Sequence, residues 1–153
     1  MMDIEVKVKM VRNIEGQADI FPSYATAGSA GMDLRACIEE PIIIEAGQIT
    51  KITTGIAIQL PNRYVGGFVF PRSGLSSKHG ISLINCVGVI DSDYIGEIIC
   101  PVVNHSNENY TVNPGDRIAQ LVFMPVYNAA LIQTDDLQET ERGSGGFGST
   151  GLK

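Results

Sequence analysis

Charge is scarce in this chain of 153 residues: Asp, Glu, Lys and Arg together make up only 18% of it. What charge there is runs acidic, with 17 carboxylates against 11 lysines and arginines and a net charge of −6. The isoelectric point falls near 4.8. Such a surface repels nucleic acid, so a polyanionic ligand must be drawn in by a few placed arginines, a divalent cation, or both. Histidine is scarcer still: His79 and His105 stand far apart, without the clustered partners that a zinc site needs. The three cysteines, Cys37, Cys86 and Cys100, are an odd number with no C-x-x-C spacing. Each sits in an apolar, strand-like stretch, which predicts buried free thiols and a reducing compartment. No apolar run approaches a membrane span, because Gln120, Pro125 and Asn128 interrupt the longest one. The start, Met1-Met2-Asp3-Ile4-Glu5-Val6-Lys7, has neither a secretory nor a transit pattern, so a soluble, cytoplasmic protein is expected, with no membrane partner. Without secretion, the sequons at Asn104 and Asn109 read as accidental matches.

What is abundant is hydrophobic alternation. Hydrophobic residues are 44% of the chain, enough for one compact domain with a real core. Ile4 to Val11 alternates strictly, as a half-buried strand should. Pro41 to Ile44, Ile49 to Leu60, Tyr64 to Phe70, Ile81 to Ile84, Val87 to Ile90, Gly96 to Val103 and Arg117 to Val126 continue the pattern. Turn residues punctuate it at Glu45-Ala46-Gly47-Gln48, Pro61-Asn62-Arg63, Ser106 to Asn109 and Asn113-Pro114-Gly115-Asp116. Short strands at this spacing predict a sandwich, jelly roll or barrel rather than a βαβ fold. One short helix is expected over Ser73 to Lys78, ended by Gly80.

Five segments carry chemistry, and each also has a plain structural reading. In Ala30-Gly31-Met32-Asp33-Leu34, an aspartate sits between apolar residues of a strand-like run. It reads as a turn or edge-strand carboxylate, since burial would be costly without a partner. Phe70-Pro71-Arg72-Ser73-Gly74-Leu75-Ser76 offers a guanidinium, a hydroxyl and free backbone N–H groups where a strand breaks. Ser73 reads as the N-cap of the short helix, and a helix start is also a ready anion site. Asn85 to Gly96 is a backbone-rich apolar hairpin ending on Asp91, Asp93 and the ring of Tyr94, which a simple Asp-Ser-Asp turn could explain. Gly115-Asp116-Arg117-Ile118-Ala119-Gln120-Leu121 reads as a turn entering a core strand, with Asp116 and Arg117 a surface pair of little worth.

The last segment, Arg142 to Gly151, has five glycines and one aromatic, and should be mobile when unbound. Its G-x-G-x-x-G over Gly143 to Gly148 lacks the preceding strand and following helix of a dinucleotide fingerprint. Its P-loop glycine spacing meets Leu152 where lysine is required. Both readings are rejected. Glycine N–H groups can still wrap phosphates, and Phe147 can stack on a base.

Taken in order, from about residue 30 to the end, the five segments resemble the five motifs of the trimeric dUTP pyrophosphatase (dUTPase) family, the second and third being the most specific. The resemblance implies an all-β, jelly-roll or β-clip-like fold with one short helix: a β domain over 1–141 and a flexible glycine-rich lid over 142–153. It implies a homotrimer with shared active sites, Mg²⁺ as cofactor, and hydrolysis of dUTP to dUMP and pyrophosphate. That reaction limits uracil incorporation into DNA and supplies dUMP for thymidylate synthesis. Carried over by motif, Asp91 holds the attacking water as general base, and Asp33 reaches the magnesium through coordinated water. Arg72, Ser73 and Gly74 contact the triphosphate, where a bidentate guanidinium outdoes a point charge, and Gln120 lies near the α-phosphate, with Asp116 as partner to an arginine. Gly88, Val89 and Ile90 pair with the uracil edge through backbone groups, aided by Asn85. Such a fixed pattern can reject cytosine by roughly four to five orders of magnitude. Tyr94 lies under the deoxyribose and excludes a 2′-hydroxyl. Arg142 meets the γ-phosphate, Phe147 covers the base, and Gly148 and Ser149 line the phosphates. Ile95 departs from the polar or charged residue often found there. Two other classes compete: a dCTP deaminase-like enzyme, which should replace the Asp-Ser-Asp-Tyr segment, and a non-catalytic regulatory relative, which should lose Asp91 or the tail.

Overall fold

The computed structural model describes residues 4–12, 14 and 19–146. Among these, eleven strands and a single helix follow one another: β1 Lys7–Met10, β2 Ser23–Tyr24, β3 Met32–Arg35, β4 Ile42–Ile44, β5 Ile49–Gln59, β6 Val65–Pro71, α1 Ser73–His79, β7 Ile81–Leu83, β8 Gly88–Ile90, β9 Glu97–Asn104, β10 Tyr110–Val112 and β11 Arg117–Pro125. They form a four-stranded sheet in the order β1-β5-β9-β7, a five-stranded sheet β2-β3-β11-β6-β8, and a small pair β10-β4. Every pairing is antiparallel. The all-β expectation with one short helix is met.

All three sheets share one core. Ile52 and Ile56 of β5, Cys100 and Val102 of β9, Leu34 of β3, Val69 of β6, Leu121 of β11, and Ile44 and Val112 of the small pair are buried together. Burying an aliphatic side chain of this kind contributes about 1.5–3 kcal/mol. Among the described residues two polar side chains are buried with them, and both are satisfied. Thr54 Oγ1 donates to the Ile98 carbonyl at 2.6 Å. Asn104 Nδ2 donates to the carbonyls of Ile44 and Glu108, while its Oδ1 accepts from Ser106 N–H and Oγ–H. That set of bonds fixes the corner after β9.

Gly55 interrupts β5 with φ +71, where the register against β9 slips between Thr53 and Ala57. A Cβ there would lie 2.6 Å from Ile20 Cδ1 and 2.7 Å from Cys37 Sγ, so glycine is required.

Four local expectations change. The first strand covers only Lys7–Met10, and the short strands β2 and β10 were not anticipated from the pattern. Ser73 is the first helical residue rather than the N-cap: Arg72 occupies the cap position, extended at φ −93 and ψ 128, with no side-chain cap bond. Gly80 does end the helix, at φ 68. Cys37 and Cys100 are buried free thiols, but Cys86 is exposed. It sits at φ 62 in the turn between β7 and β8, outside the strands whose side chains fill the core. Among the described residues no helix is long and apolar enough to cross a membrane.

Candidate active site

The second and fourth motif segments meet because β6 and β11 are neighbours: Phe70 lies opposite Gln120, and Pro71 opposite Ala119. The first joins them because Asp33 of β3 lies opposite Gln120 on the other side. A cavity of about 510 Å³ opens over these residues, lined by Asp33, Phe70, Arg72, Ser73, Gly74, Arg117 and Gln120, with the 25–31 loop at its side. At its centre one carboxylate holds two guanidinium groups. Arg72 Nε stands 3.0 Å from Asp33 Oδ1, and Arg117 Nη1 stands 3.1 Å from Asp33 Oδ2. Arg72 Nη1 also donates to the Arg117 carbonyl at 3.0 Å. The Asp33 side chain is only 17% exposed, so this double pairing is what makes its burial tolerable. Asp116, by contrast, accepts from the amide and side chain of Asn113 and has no arginine partner among the described residues, which departs from its expected role.

Around that centre lie uncommitted hydrogen-bonding groups. Leu75 is the first amide of α1 to be bonded, to the Arg72 carbonyl at 3.1 Å, which leaves those of Ser73 and Gly74 at the open helix start. Gln120 Nε2 donates to the Pro71 carbonyl at 3.0 Å, leaving Oε1 as an acceptor. A Cβ at Gly74 would meet nothing within 4 Å.

The third segment forms a different kind of cavity, of about 250 Å³, lined by Asn85, Gly88, Val89, Ile90, Asp91, Tyr94 and the start of β9 from Glu97 to Pro101, with Val69 and Leu83 behind. β8 is the edge of its sheet, pairing only with β6, so its outer backbone groups have no strand partner. The loop before it is tight: Cys86 N–H donates to the Leu83 carbonyl at 3.0 Å and Val87 N–H to the Asn85 carbonyl at 2.6 Å. Gly88 brings the backbone close, since a Cβ there would stand 3.3 Å from Val69 Cβ. After β8, Tyr94 N–H closes a turn on the Asp91 carbonyl at 3.1 Å. Asp91 is exposed, and its carboxylate has no ion-pair partner among the described residues. Cys100 floors this cavity, its thiol pushed up to about 12 by burial.

The two cavities lie on opposite sides of the five-stranded sheet. Phe70 and Gln120 line the arginine cavity, whereas the adjacent Val69 lines the hairpin cavity and Leu121 is buried in the core. Successive side chains of a strand point to opposite faces. Within one chain, the expected site residues of the first four segments are therefore assembled in two groups and not in one. The pattern reading missed Arg117, which lines the first cavity, and Glu97 and Ile99, which line the second. Arg117 was visible in the same segment as Gln120, but only the β3–β11 register reveals its partner. A third cavity, of about 600 Å³, is walled by side chains such as Ile4, Val8, Phe21 and Phe123 and contains none of these residues.

In the tail, Arg142 lies in a turn and its Nε donates to the Gly145 carbonyl at 2.9 Å. Phe147, Gly148 and Ser149 lie outside the described residues. Between β11 and that turn, residues 126–140 form no helix or strand.

Comparison with known proteins identifies the family and the fold. The chain matches the dUTPase family model over residues 17–151. It is similar to the deoxyuridine 5'-triphosphate nucleotidohydrolase of Desulfitobacterium hafniense, 54% identical over 152 residues that cover 99% of each chain. The protein of that name from Acinetobacter baylyi is 49% identical, covering 98% of this chain and all (100%) of that one. Among solved structures, a point mutant of the staphylococcal phage 80alpha dUTPase superposes with a TM-score of 0.82 at 26% identity, covering 97% of this chain and 99% of the other. Streptococcus mutans dUTPase does so at 0.69 and 31% identity, covering 80% and 98%. This chain belongs to the dUTPase family, and its fold is the dUTPase jelly roll.

Proposed function

We infer that the chain hydrolyses dUTP to dUMP and pyrophosphate at sites shared between copies of itself. The observation that carries this reading is the division of one nucleotide's worth of recognition between two faces of one sheet. A cation-and-amide cluster suited to a triphosphate lies on one face, and an edge-strand hairpin suited to a flat base lies at the other. Pairing the first cavity of one copy with the second of its neighbour, around a closed threefold ring, makes three complete sites. Exposed apolar side chains favour such an assembly. Tyr127, Leu131, Ile132 and Leu137, beyond β11, are 98%, 94%, 87% and 86% exposed and make no core of their own.

In this reading the free backbone edge of β8, with Asn85, pairs with uracil and leaves cytosine's amine mispaired. Arg72, Ser73 and Gly74 hold phosphate oxygens through the guanidinium and the open amides of α1. Arg142 leaves its own turn to meet the γ-phosphate as the tail, with Phe147, Gly148 and Ser149, closes and excludes bulk water. Asp91, uncommitted in the free chain, takes a proton from a water as that water's oxygen bonds to the α-phosphorus. The bond from the α-phosphorus to the bridging oxygen breaks, and pyrophosphate leaves with its electron pair. Gln120 Oε1 accepts from the same water or its neighbour in this reading.

The donor set fits magnesium in one manner only. Both Asp33 oxygens are engaged by arginines, and the described residues contain no group of three or more potential metal ligands. Mg²⁺ keeps several waters and binds phosphates readily, so the fit is to a metal carried on the triphosphate, with Asp33 reaching it through water. When bound, it spreads the phosphate charge. A variant of the phage phi11 dUTPase is described as coordinating a structural Mg(II) ion, and phage 80alpha dUTPase has been solved with dUpNHpp. We place the reaction in the cytoplasm, as for a soluble enzyme of nucleotide metabolism.

The test is release of phosphate from dUTP, dCTP and UTP, with pyrophosphatase added, alongside ammonia release from dCTP. Phosphate from dUTP alone is expected. Ammonia from dCTP would make the chain a deaminase, and no product from any of them would make it a binding protein.

A further inference from the structure

The hydroxyl of Tyr94 is tied to Glu97, and Glu97 is held from across the chain. The Tyr94 hydroxyl donates to the Glu97 carbonyl at 2.9 Å. Its ring lies on Gly96, where an added Cβ would stand 2.6 Å from the hydroxyl oxygen and 2.7 Å from Cζ. The ring therefore has one seat, made by a missing side chain and one carbonyl. The carboxylate of the residue that supplies that carbonyl turns the other way. Glu97 Oε1 accepts the Gly55 N–H at 2.9 Å, the amide that the irregularity in β5 leaves without a strand partner. Arg12 Nε donates to both Glu97 oxygens at 3.0 Å. Gly55 in turn accepts the amides of Val11 and Arg12 through its carbonyl, at 2.8 and 3.2 Å. The Glu97 side chain is only 15% exposed, while that of Arg12 remains 53% exposed.

We propose that Glu97 is a positioning residue for the sugar subsite, with Arg12 as its anchor: the Arg12–Glu97–Gly55 contacts fix the first residue of β9, and its carbonyl fixes the ring of Tyr94. The proposal rests on the reading of Tyr94 as the group that excludes a 2′-hydroxyl. Discrimination between deoxyribose and ribose then depends on a residue of the N-terminal segment that touches no nucleotide. A ring that can tilt away from Gly96 leaves room for the extra hydroxyl. One that cannot tilt leaves none. Loosening the carboxylate should therefore raise activity toward UTP relative to dUTP, whatever it does to overall stability.

The experiment compares the full-length protein with Glu97→Ala, Arg12→Ala and Tyr94→Ala. It measures the ratio of kcat/KM for dUTP to that for UTP, the Kd of dUMP and UMP by calorimetry, and Tm. Tyr94→Ala should lose most of the discrimination. Glu97→Ala should lower the ratio by roughly 3- to 10-fold, the equivalent of one weakened hydrogen bond. Arg12→Ala should lower it in the same direction by roughly 2- to 3-fold. The Kd ratio of UMP to dUMP should fall in parallel. Lower Tm values with both ratios unchanged in the Glu97 and Arg12 variants, while Tyr94→Ala does change them, would reduce these contacts to a structural brace and overturn the proposal. Unchanged ratios in Tyr94→Ala would instead remove the underlying sugar-gate reading. If Glu97→Ala does not fold, Arg12→Ala decides alone, because its guanidinium is largely at the surface.

Discussion

On one face of the five-stranded sheet, three side chains from three separate strands or strand ends, Asp33, Arg72 and Arg117, are tied to one another by contacts of 3.0 and 3.1 Å. At its β8 edge, the second cavity comes mostly from one continuous stretch, Asn85 to Glu97, shaped by turns, an unpaired strand edge and missing Cβ atoms. The first region is organised by charge and the second by backbone. The difference matches what each is proposed to bind. A triphosphate needs cations that are already oriented, so that little ordering cost remains on binding. A base needs donors and acceptors that cannot rotate, and backbone groups satisfy that better than side chains.

The sharpest way to separate the regions is to remove charge from each. Asp91→Asn, in the hairpin region, should keep dUMP binding and assembly while kcat on dUTP falls by about 10²-fold or more, as expected for a lost general base. Single-turnover hydrolysis with a parallel dUMP titration checks it. Near-normal turnover would take Asp91 out of the chemistry and leave the hairpin as a binding element only.

These two regions were not equally legible in the sequence. The hairpin is contiguous, so its turn residues, glycines and acidic pair could be read together, and the expected strand over Val87 to Ile90 is β8 with one residue trimmed. The arginine cluster is long-range. Asp33 could be recognised as a carboxylate that needs a partner, but nothing local says that its partners are Arg72 and Arg117. That information lies in strand register, which brings Asp33 and Phe70 to opposite sides of Gln120. Ser73 as N-cap failed for a related reason. β6 runs directly into α1, so Arg72 takes the extended cap position and Ser73 becomes the first helical residue. Cys86 was expected inside because its neighbours are apolar, yet the turn preceding β8 places it outside.

If the two regions of one site come from different copies, damage to each can be complemented. Inactive Asp91→Asn and inactive Arg72→Ala chains, unfolded together at equal ratio and refolded, should recover about a quarter of the wild-type sites in a closed ring. A site then needs an intact arginine from one chain and an intact aspartate from its neighbour, each present with a chance of one half. Recovery no greater than the two parents refolded alone, in oligomers shown to be mixed, would place both regions of a site on one chain.

Within the arginine region, Asp33→Asn tests whether the carboxylate orients its two cations. The neutral amide keeps the shape but leaves the guanidinium groups facing each other without a counter-charge. KM for dUTP should rise about tenfold, with about 1–2 kcal/mol lost in urea denaturation, a modest figure because Arg117 remains half exposed. An unchanged KM and an unchanged midpoint would mean that the pairing contributes neither orientation nor stability, and the contrast drawn between the two regions would lose its charged half.

The smallest expected effect belongs to the hairpin region alone. Cys100 lies at the floor of that cavity, and its thiol, at 9.0 in the open chain, is pushed up to about 12 by burial. Its folded pKa is raised, so the stability it contributes as a neutral buried group is fully present below pH 9 and is lost as the pH rises through about 12. The unfolded chain releases this proton first, and that release draws the equilibrium toward unfolding. Cys37 and Tyr110 are raised as well, chiefly by burial, so the wild-type alkaline limb contains their contributions too. Cys100→Ala removes one of these groups and leaves the others. Its stability should start lower at neutral pH, because a small void is left, and should then fall less steeply than the wild type's above pH 9, by up to one proton in the slope. Urea denaturation at a series of alkaline pH values measures both slopes. Parallel slopes would show that the floor of the hairpin cavity admits water freely enough to ionise the thiol in place, and that this region is less closed beneath its backbone edge than its packing implies.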